Sequence, residues 1–471
     1  MTLSRHALAL TALMLSPPAL YATARPAEAQ TLQEALAMAY ANNPTLQAAR
    51  AQLRAVDENV PQALAGWRPT VQITSSVGQA TSSIVGSNEP TNTSRTVSPW
   101  RSRDVVSNQA SVTQPIYRGG RTTASTRRAE NQVLAQRARL IATEQQVMQD
   151  TVNAYVAVIR DQEEVRLNIN NEQVLTRQLQ ATNERFRVGE ITRTDVAQAE
   201  SRLAGSRASR ADSEGRLQQS RATFARLVGQ PPQRLVAPQP LRVPVADARE
   251  AGAIASQNNP NVVAALFDEA AARDLVDVNF ASLLPQVSVT GTTFRNDNST
   301  TDGLRQNGTQ VTANLTVPLY QGGAEHAAVR QARQSAQQAR QVVEDQRRAA
   351  TQQATQAWET LTAARAQVES VRAQIRAAEI ALDGVQREAV VGSRTTLDVL
   401  NAEQELLNAR VSLVRALANV ITASHSLASS LGRLTARDLN LPVQLYDMEG
   451  YYREVRNRWA GWGDYNPATG R

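Results

Sequence analysis

Two phrases of this chain carry acids at matching places. VGEITRTDVAQAE begins at Val188 and VGSRTTLDVLNAE at Val391. Both share Val-Gly, a Thr, Asp-Val and a closing Ala-Glu. Asp195 and Asp398 each stand six residues past their glycine. Such an acid can cap the free N–H groups of a helix start and favour its dipole. Two side chains of the second phrase break the symmetry. Arg394 follows Gly392 by two residues where the first phrase has Ile191, and Asn401 lies one turn beyond Asp398. That chemistry is charge pairing and ion attraction, not bond making. No catalytic, cofactor or metal constellation accompanies it. Of three histidines, His6 lies in a leader-like segment, and His326 and His425 have no Cys or paired carboxylates beside them. RGGR at 118–121 is a single joint, not a nucleic-acid patch.

The turns need long helices on either side. Glycine accepts backbone angles that a Cβ forbids, so Val188-Gly189 and Val391-Gly392 read as hairpin tips. Before the second tip, Leu361, Val368, Ile375 and Leu382 recur every seven residues, with Ala364, Val371, Ala378 and Val385 between them. This is an a/d seam with alternate small layers. The pattern covers 326–389, roughly 95 Å of helix, and 122–186 matches it in the first half. Returning helices are expected at about 194–229 and 395–432. Proline then breaks the first one's line in QPPQRLVAPQPLRVPVADAR.

The repetition extends through the whole chain. Asn-Asn-Pro at 42–44 recurs at 258–260, Pro69 matches Pro285, and SVTQPIYRGG matches NLTVPLYQGG. Ahead of each Gly-Gly the sequence alternates. Val71, Ile73 and Val77 oppose Thr70, Gln72, Thr74 and Ser76; Val311, Ala313, Leu315, Val317 and Leu319 oppose Gln310, Thr312, Asn314 and Thr316. Period two with one apolar and one polar face is a strand signature. Strands are expected near 68–78, 104–117, 284–295 and 308–320. Runs of roughly 10–12 residues suit a tilted membrane strand, although a sandwich gives the same alternation. The links GSNEPTNTSRTVSPWRSRD and RNDNSTTDGLRQNG read as exposed loops. Tyr117 and Tyr320 close the last strands, as interfacial or as ordinary core aromatics. Four strands leave two bare edges, which lipid does not tolerate, so several chains must share one barrel.

Composition agrees. Aromatic residues make up 4% of 471, too little bulk for a wide globular core. The formal charge of +7 is carried by Arg without Lys, interleaved with acids as on solvated helix faces. With no Cys there is no disulfide scaffold. Residues 1–29 read as a signal peptide, with AEA before Gln30 and ATA at 22–24 as the rival cut. No later stretch is expected to span a bilayer as a helix. The expected layout is a first repeat over 30–245, with long helix 120–187 and a Pro-rich equatorial link. A second repeat follows over 246–434, with long helix 323–390, and then a loosely ordered tail over 435–471. The link and the tail form a belt, on which Trp459 and Trp462 could pack.

The duplicated Asn-Asn-Pro, the Tyr-x-Gly-Gly closures and VGSRTTLDVLNAE together resemble the TolC-like outer-membrane efflux proteins over nearly the whole mature chain. The resemblance implies a mixed α/β membrane protein. Its homotrimer would form a twelve-stranded β-barrel in outer-membrane lipid over an α-helical tunnel with a large periplasmic portion. It implies a passive exit duct for efflux or type I secretion that docks with a periplasmic adaptor and an inner-membrane transporter. By resemblance, Val188, Gly189, Val391 and Gly392 form the docking tips. Gly119, Gly120, Gly322 and Gly323, with Tyr117 and Tyr320, join barrel to helices. Asp398 would ring the closed entrance, with Asn401 where relatives often have a second Asp. Arg394 would latch to Asp195 of a neighbouring hairpin, without the Tyr that relatives often place at Ala389. The rival architectures are a periplasmic adaptor, which has one hairpin, and a trimeric surface coiled coil, which lacks the duplication.

Overall fold

The computed structural model describes residues 30–83, 85–86, 96–97, 99–300 and 302–463. The expected signal peptide (1–29), most of the first strand link and the last eight residues lie outside this range. In the first half, helices α1 (Leu32–Asn42), α2 (Pro44–Asp57) and α3 (Asn59–Leu64) lead to strand β1 (Thr70–Ser82). The short β2 (Val85–Gly86) and β3 (Thr96–Val97) pair with each other, and β4 (Arg101–Arg118) follows. Helix α4 (Arg121–Arg187) then runs to a tip, and α5 (Arg193–Val228) returns. The second half repeats the order with α6 (Ala248–Asn258), α7 (Pro260–Phe280), β5 (Gln286–Asp297), β6 (Arg305–Thr316), α8 (Ala324–Val390) and α9 (Thr396–Ser430). The tail adds α10 (Gly450–Val455).

The four long strands form one antiparallel sheet in the order β1-β4-β5-β6, so β1 and β6 are its open edges. Register aligns side chains in rows. Val71, Val112, Gly291 and Val311 lie in one row, and Tyr117, Val287 and Leu315 in another on the same face. Apolar residues here stand in the open: Ile73 is 78% and Leu315 66% exposed. The opposite face carries a rung of four threonines, Thr70, Thr113, Thr290 and Thr312. The Thr113 and Thr290 hydroxyls lie 3.3 Å apart. A sheet with its apolar side chains outward and hydroxyls on the other face is built for lipid outside and water within.

The two long helices span 67 residues each, about 100 Å. On α8 the a/d seam is buried at Leu361, Ala364, Val368, Val371 and Ala378, and partly covered at Ile375, Leu382 and Val385. It packs on α9. Helix α9 is apolar and long enough to cross a membrane by composition, contrary to the sequence expectation. Its apolar residues instead join two buried clusters: Ala416, Ala423 and Leu427 pack against α6, α7 and α8. Ala418 and Ala428 pack against α1, α2 and α4.

Buried density concentrates at the equator, near the ends of the return helices. There the repeated Asn-Asn-Pro acquires a function. Asn43 caps α2 through Thr45 N–H (2.9 Å), and its amide donates to the carbonyl of Leu227 at the end of α5 (3.1 Å). Asn259 caps α7 through Asn261 N–H (3.0 Å) and donates to the carbonyl of Ser430 at the end of α9 (3.2 Å). Each Asn thus starts one helix and staples the end of another. Leu434, Ala436 and Leu441 of the tail are buried against α1, α2 and α4, with Leu241 and Val243 of the Pro-rich link beside them. The tail departs from a loose coil. Val455 of α10 is buried, and the Tyr451 hydroxyl donates to Glu58 (2.6 Å). Trp459 meets the Arg68 guanidinium 5.1 Å from its ring, whereas Trp462 is 98% exposed and packs on nothing described.

Two buried acids mark this region. Asp57 is 1% exposed, and neither carboxylate oxygen has a hydrogen-bond partner among the described residues. Burial pushes its carboxyl up to about 7, with the Arg137 guanidinium pulling the other way. Glu144 accepts the N–H of Ala436 (2.7 Å), tying α4 to the belt.

Candidate functional site

The tips are made by the backbone first. Val188 ends α4, and Gly189 adopts φ +80°, which a side chain would strain. Glu190 N–H then reaches back to the carbonyl of Arg185 (3.0 Å). At the second tip Gly392 has the same φ, and Ser393 N–H reaches the carbonyl of Glu388 (3.0 Å). These are glycine-terminated helix ends whose last carbonyls are satisfied by the turn.

Reciprocal capping starts each return helix. Asp195 accepts from Thr192 N–H (2.9 Å) and hydroxyl (2.7 Å), while its own N–H points at the Thr192 hydroxyl (3.4 Å). Asp398 does the same with Thr395 at 3.0, 2.8 and 3.3 Å. Such a box stabilises a helix start by about 1 kcal/mol. The hydroxyl and N–H of Thr192 hold the Asp195 carboxyl below its usual range, and the N–H and hydroxyl of Thr395 do so for Asp398. Both are carboxylates at neutral pH.

The charge pairs at the two tips run in opposite senses. In the first, Arg185 on the descending helix binds Glu190 in the turn (2.6 Å). In the second, Glu388 occupies the descending helix and Arg394 the turn (2.8 Å). Within one chain, then, Arg394 is held by its own hairpin, and Asp195 by its own cap. Neither contact joins Arg394 to Asp195. Beyond these pairs the tips are apolar knobs: Val188 is 77%, Val390 87% and Val391 78% exposed. Ala389, a methyl where a hydroxyl was in question, is half-buried and accepts Gly392 N–H through its carbonyl.

Asn401 has a partner that the sequence did not suggest. Arg202 on α5 donates to its side-chain oxygen at 2.7 Å, bridging the first hairpin to the second. Leu175, Leu203 and Leu400 form a small buried cluster alongside. Farther from the tip, the carboxylate of Glu164 on α4 takes Arg216 of α5 (3.2 Å) and Arg415 of α9 (2.7 Å). Nothing in local spacing marks Arg202, Glu164, Arg216 or Arg415. The repeated Asn-Asn-Pro did mark Asn43 and Asn259, as a signal of position rather than of role.

At the other end of the long helices, Tyr117 lies in the outward row of β4 and is 45% exposed. Gly119 (φ +62°) lies so close to the Ala281 carbonyl that an added Cβ would sit 2.7 Å from it. Gly120 starts α4 in the same left-handed region. Gly322 and Gly323 repeat this bend in open space, after Tyr320, which is 80% exposed. Among the described residues no group of three or more His, Cys, Asp or Glu could hold a metal. His425 is buried and spends its Nδ1 on the Ile421 carbonyl (2.8 Å), and burial lowers its pKa.

A family model for the outer membrane efflux protein matches residues 35–230 and 253–433, one segment in each repeat. The chain is 35% identical over 447 residues to the outer membrane efflux protein BepC of Brucella suis, covering 93% of both chains. To the outer membrane protein TolC of Vibrio cholerae it is 25% identical over 420 residues, covering 87% of this chain and 92% of that one. Among solved structures, the CmeC outer membrane channel of Campylobacter jejuni superposes with a TM-score of 0.75 at 16% identity. That match covers 90% of this chain and 89% of that one. VceC of Vibrio cholerae gives 0.71 at 20% identity, over 85% and 96%.

Proposed function

The chain belongs to the outer membrane efflux protein family, and from that premise we propose that it works as a homotrimeric exit duct gated at its helical tips. Family membership makes it an outer-membrane channel protein with a periplasmic portion rather than an enzyme, an adaptor or a surface coiled coil. The observation that carries a barrel shared between copies is the four-stranded sheet with bare edges at β1 and β6 and exposed apolar rows, and the family resemblance supplies the number three. Each edge strand leaves a line of N–H and C=O groups that hydrocarbon cannot satisfy. Three copies joined β6 to β1 give twelve strands and no edge. Native mass spectrometry of detergent-extracted protein should give trimers, and a stable monomer would overturn this closure.

Beneath the barrel, the paired helices form the tunnel. The first-repeat strands occupy 70–82 and 101–118 and the second-repeat strands 286–297 and 305–316. We assign the repeat boundaries to the belt at about 245 and 434, where the return helices have ended. At the tips, Asp398 is ionised and exposed, so three copies would form a ring that attracts cations and repels anions. Arg394 and Asp195 remain the candidate latch between hairpins of neighbouring copies. The capping and ion pair seen within one chain mean that such a latch must exchange partners to form. Exposed Val188, Gly189, Val391 and Gly392 are the docking tips for a periplasmic adaptor, which would link the duct to an inner-membrane transporter. The gate is tested in planar bilayers. Block by trivalent cations from the tip side should weaken in Asp398→Asn, and undiminished block removes the ring. Cargo is a separate question, since relatives include efflux channels and the alkaline protease secretion protein AprF of Pseudomonas aeruginosa. Drug susceptibility and secretome profiles of a deletion strain separate the two.

A further inference from the structure

Two cavities open on one side of the layer made by α4, α9 and α8. One, of about 450 Å³, is lined by Gln145 of α4, Gln353 and Gln356 of α8 and Ser426 of α9. The other, of about 680 Å³, continues toward the tips past Gln149, Asn153, Gln367 and Asn419. Helix α9 packs on both α4 and α8, and side chains of all three meet the same space, so the layer is concave there. Among the described residues no charged side chain lines either cavity, although 20% of the chain is charged. Charge begins again one turn nearer the tip, where Arg415 meets Glu164. Gln353 and Gln356 are exposed at the first cavity, and Gln367 at the second. Exposed side-chain amides of this kind each present two N–H donors and a carbonyl acceptor to a solute in the cavity.

We propose that this concave strip is a binding surface for uncharged solutes rich in hydroxyl or amide groups. The inference rests on the reading of the chain as an export duct, because only there does the concave side face cargo. A charged wall would hold counterions and turn away like charges. Amides and hydroxyls instead supply donors and acceptors whose pull is not screened by salt. Ala142, Ala357 and Ala423 sit among them and offer small apolar patches to the C–H faces of such a solute.

The experiment uses the full chain in planar bilayers, with maltohexaose added from the barrel side. Resolved current interruptions are expected, with dwell times that do not change with salt. The exposed pair Gln353→Ala/Gln356→Ala should shorten them by roughly three- to tenfold through lost hydrogen bonds. Gln145→Leu should do the same, and Gln145→Asn should restore part of the dwell. A conducting channel that shows no interruptions, or equal dwell times in the variants, overturns the inference: the strip then only orders water. Failure of the unaltered protein to conduct at all would instead sink the duct.

Discussion

The equatorial and tip ends of the same helices are held by different means. At the equator, Asn43 and Asn259 are buried staples, Asp57 is sealed from water, and large apolar clusters surround them. At the tips, the ion pairs are exposed, the apolar cluster is small, and valines project outward. One end is fixed by burial and the other by surface contacts worth little each. A hairpin anchored in this way moves most where it is held least. Stability effects should therefore fall from equator to tip, while effects on conductance should rise.

The largest loss is expected from Asn43→Ala or Asn259→Ala. Each removes a helix cap and leaves a buried carbonyl unpaired, costing about 2–4 kcal/mol in thermal unfolding followed by circular dichroism. Clearly unequal losses would break the equivalence of the two repeats. Asp57→Asn should have the opposite sign, a gain of about 1–3 kcal/mol at pH above neutrality. Folding raises this acid from 3.8 to about 7, so the folded chain keeps a proton that the unfolded chain releases. Its contribution is most favourable below the lower value, declines as pH rises between the two, and is level above the higher one. The Asn variant should lack that slope, and an unchanged slope would place the titration elsewhere. Near the tip, Arg202→Ala or Asn401→Ala should cost only about 0.5–1.5 kcal/mol but raise resting conductance. The finest comparison sets Arg185→Ala beside Arg394→Ala. Both should lie within about 1 kcal/mol of the unaltered protein. Only Arg394→Ala should make the pore leak, and equal conductance in the two would erase the functional difference between the tips.

Much of this architecture was legible because it is written in local rules. Alternation at 311–319 announced β6, the seven-residue spacing from Leu361 announced α8, and Gly189 and Gly392 announced the turns. The acids of both tips proved to be caps, as their place after the turn allowed. What local rules could not reach were contacts between distant segments. Arg202 meets Asn401, and Glu164 meets Arg415, only because α5 and α4 pack beside α9. The sequence likewise placed Arg394 in a turn but could not show that Glu388, six residues earlier, would hold it within the chain.

Equal length is a quieter property of the two long helices. Both count 67 residues, so each descends the same distance of about 100 Å from its Gly-Gly joint to its tip. Deleting one residue from either would lift its tip by about 1.5 Å and turn the seam by about 100°. Loss of a whole heptad leaves the seam nearly in register. Insertions and deletions in these helices should therefore survive in steps of seven, made in both repeats together, so that the rim offered to a partner shortens without tilting.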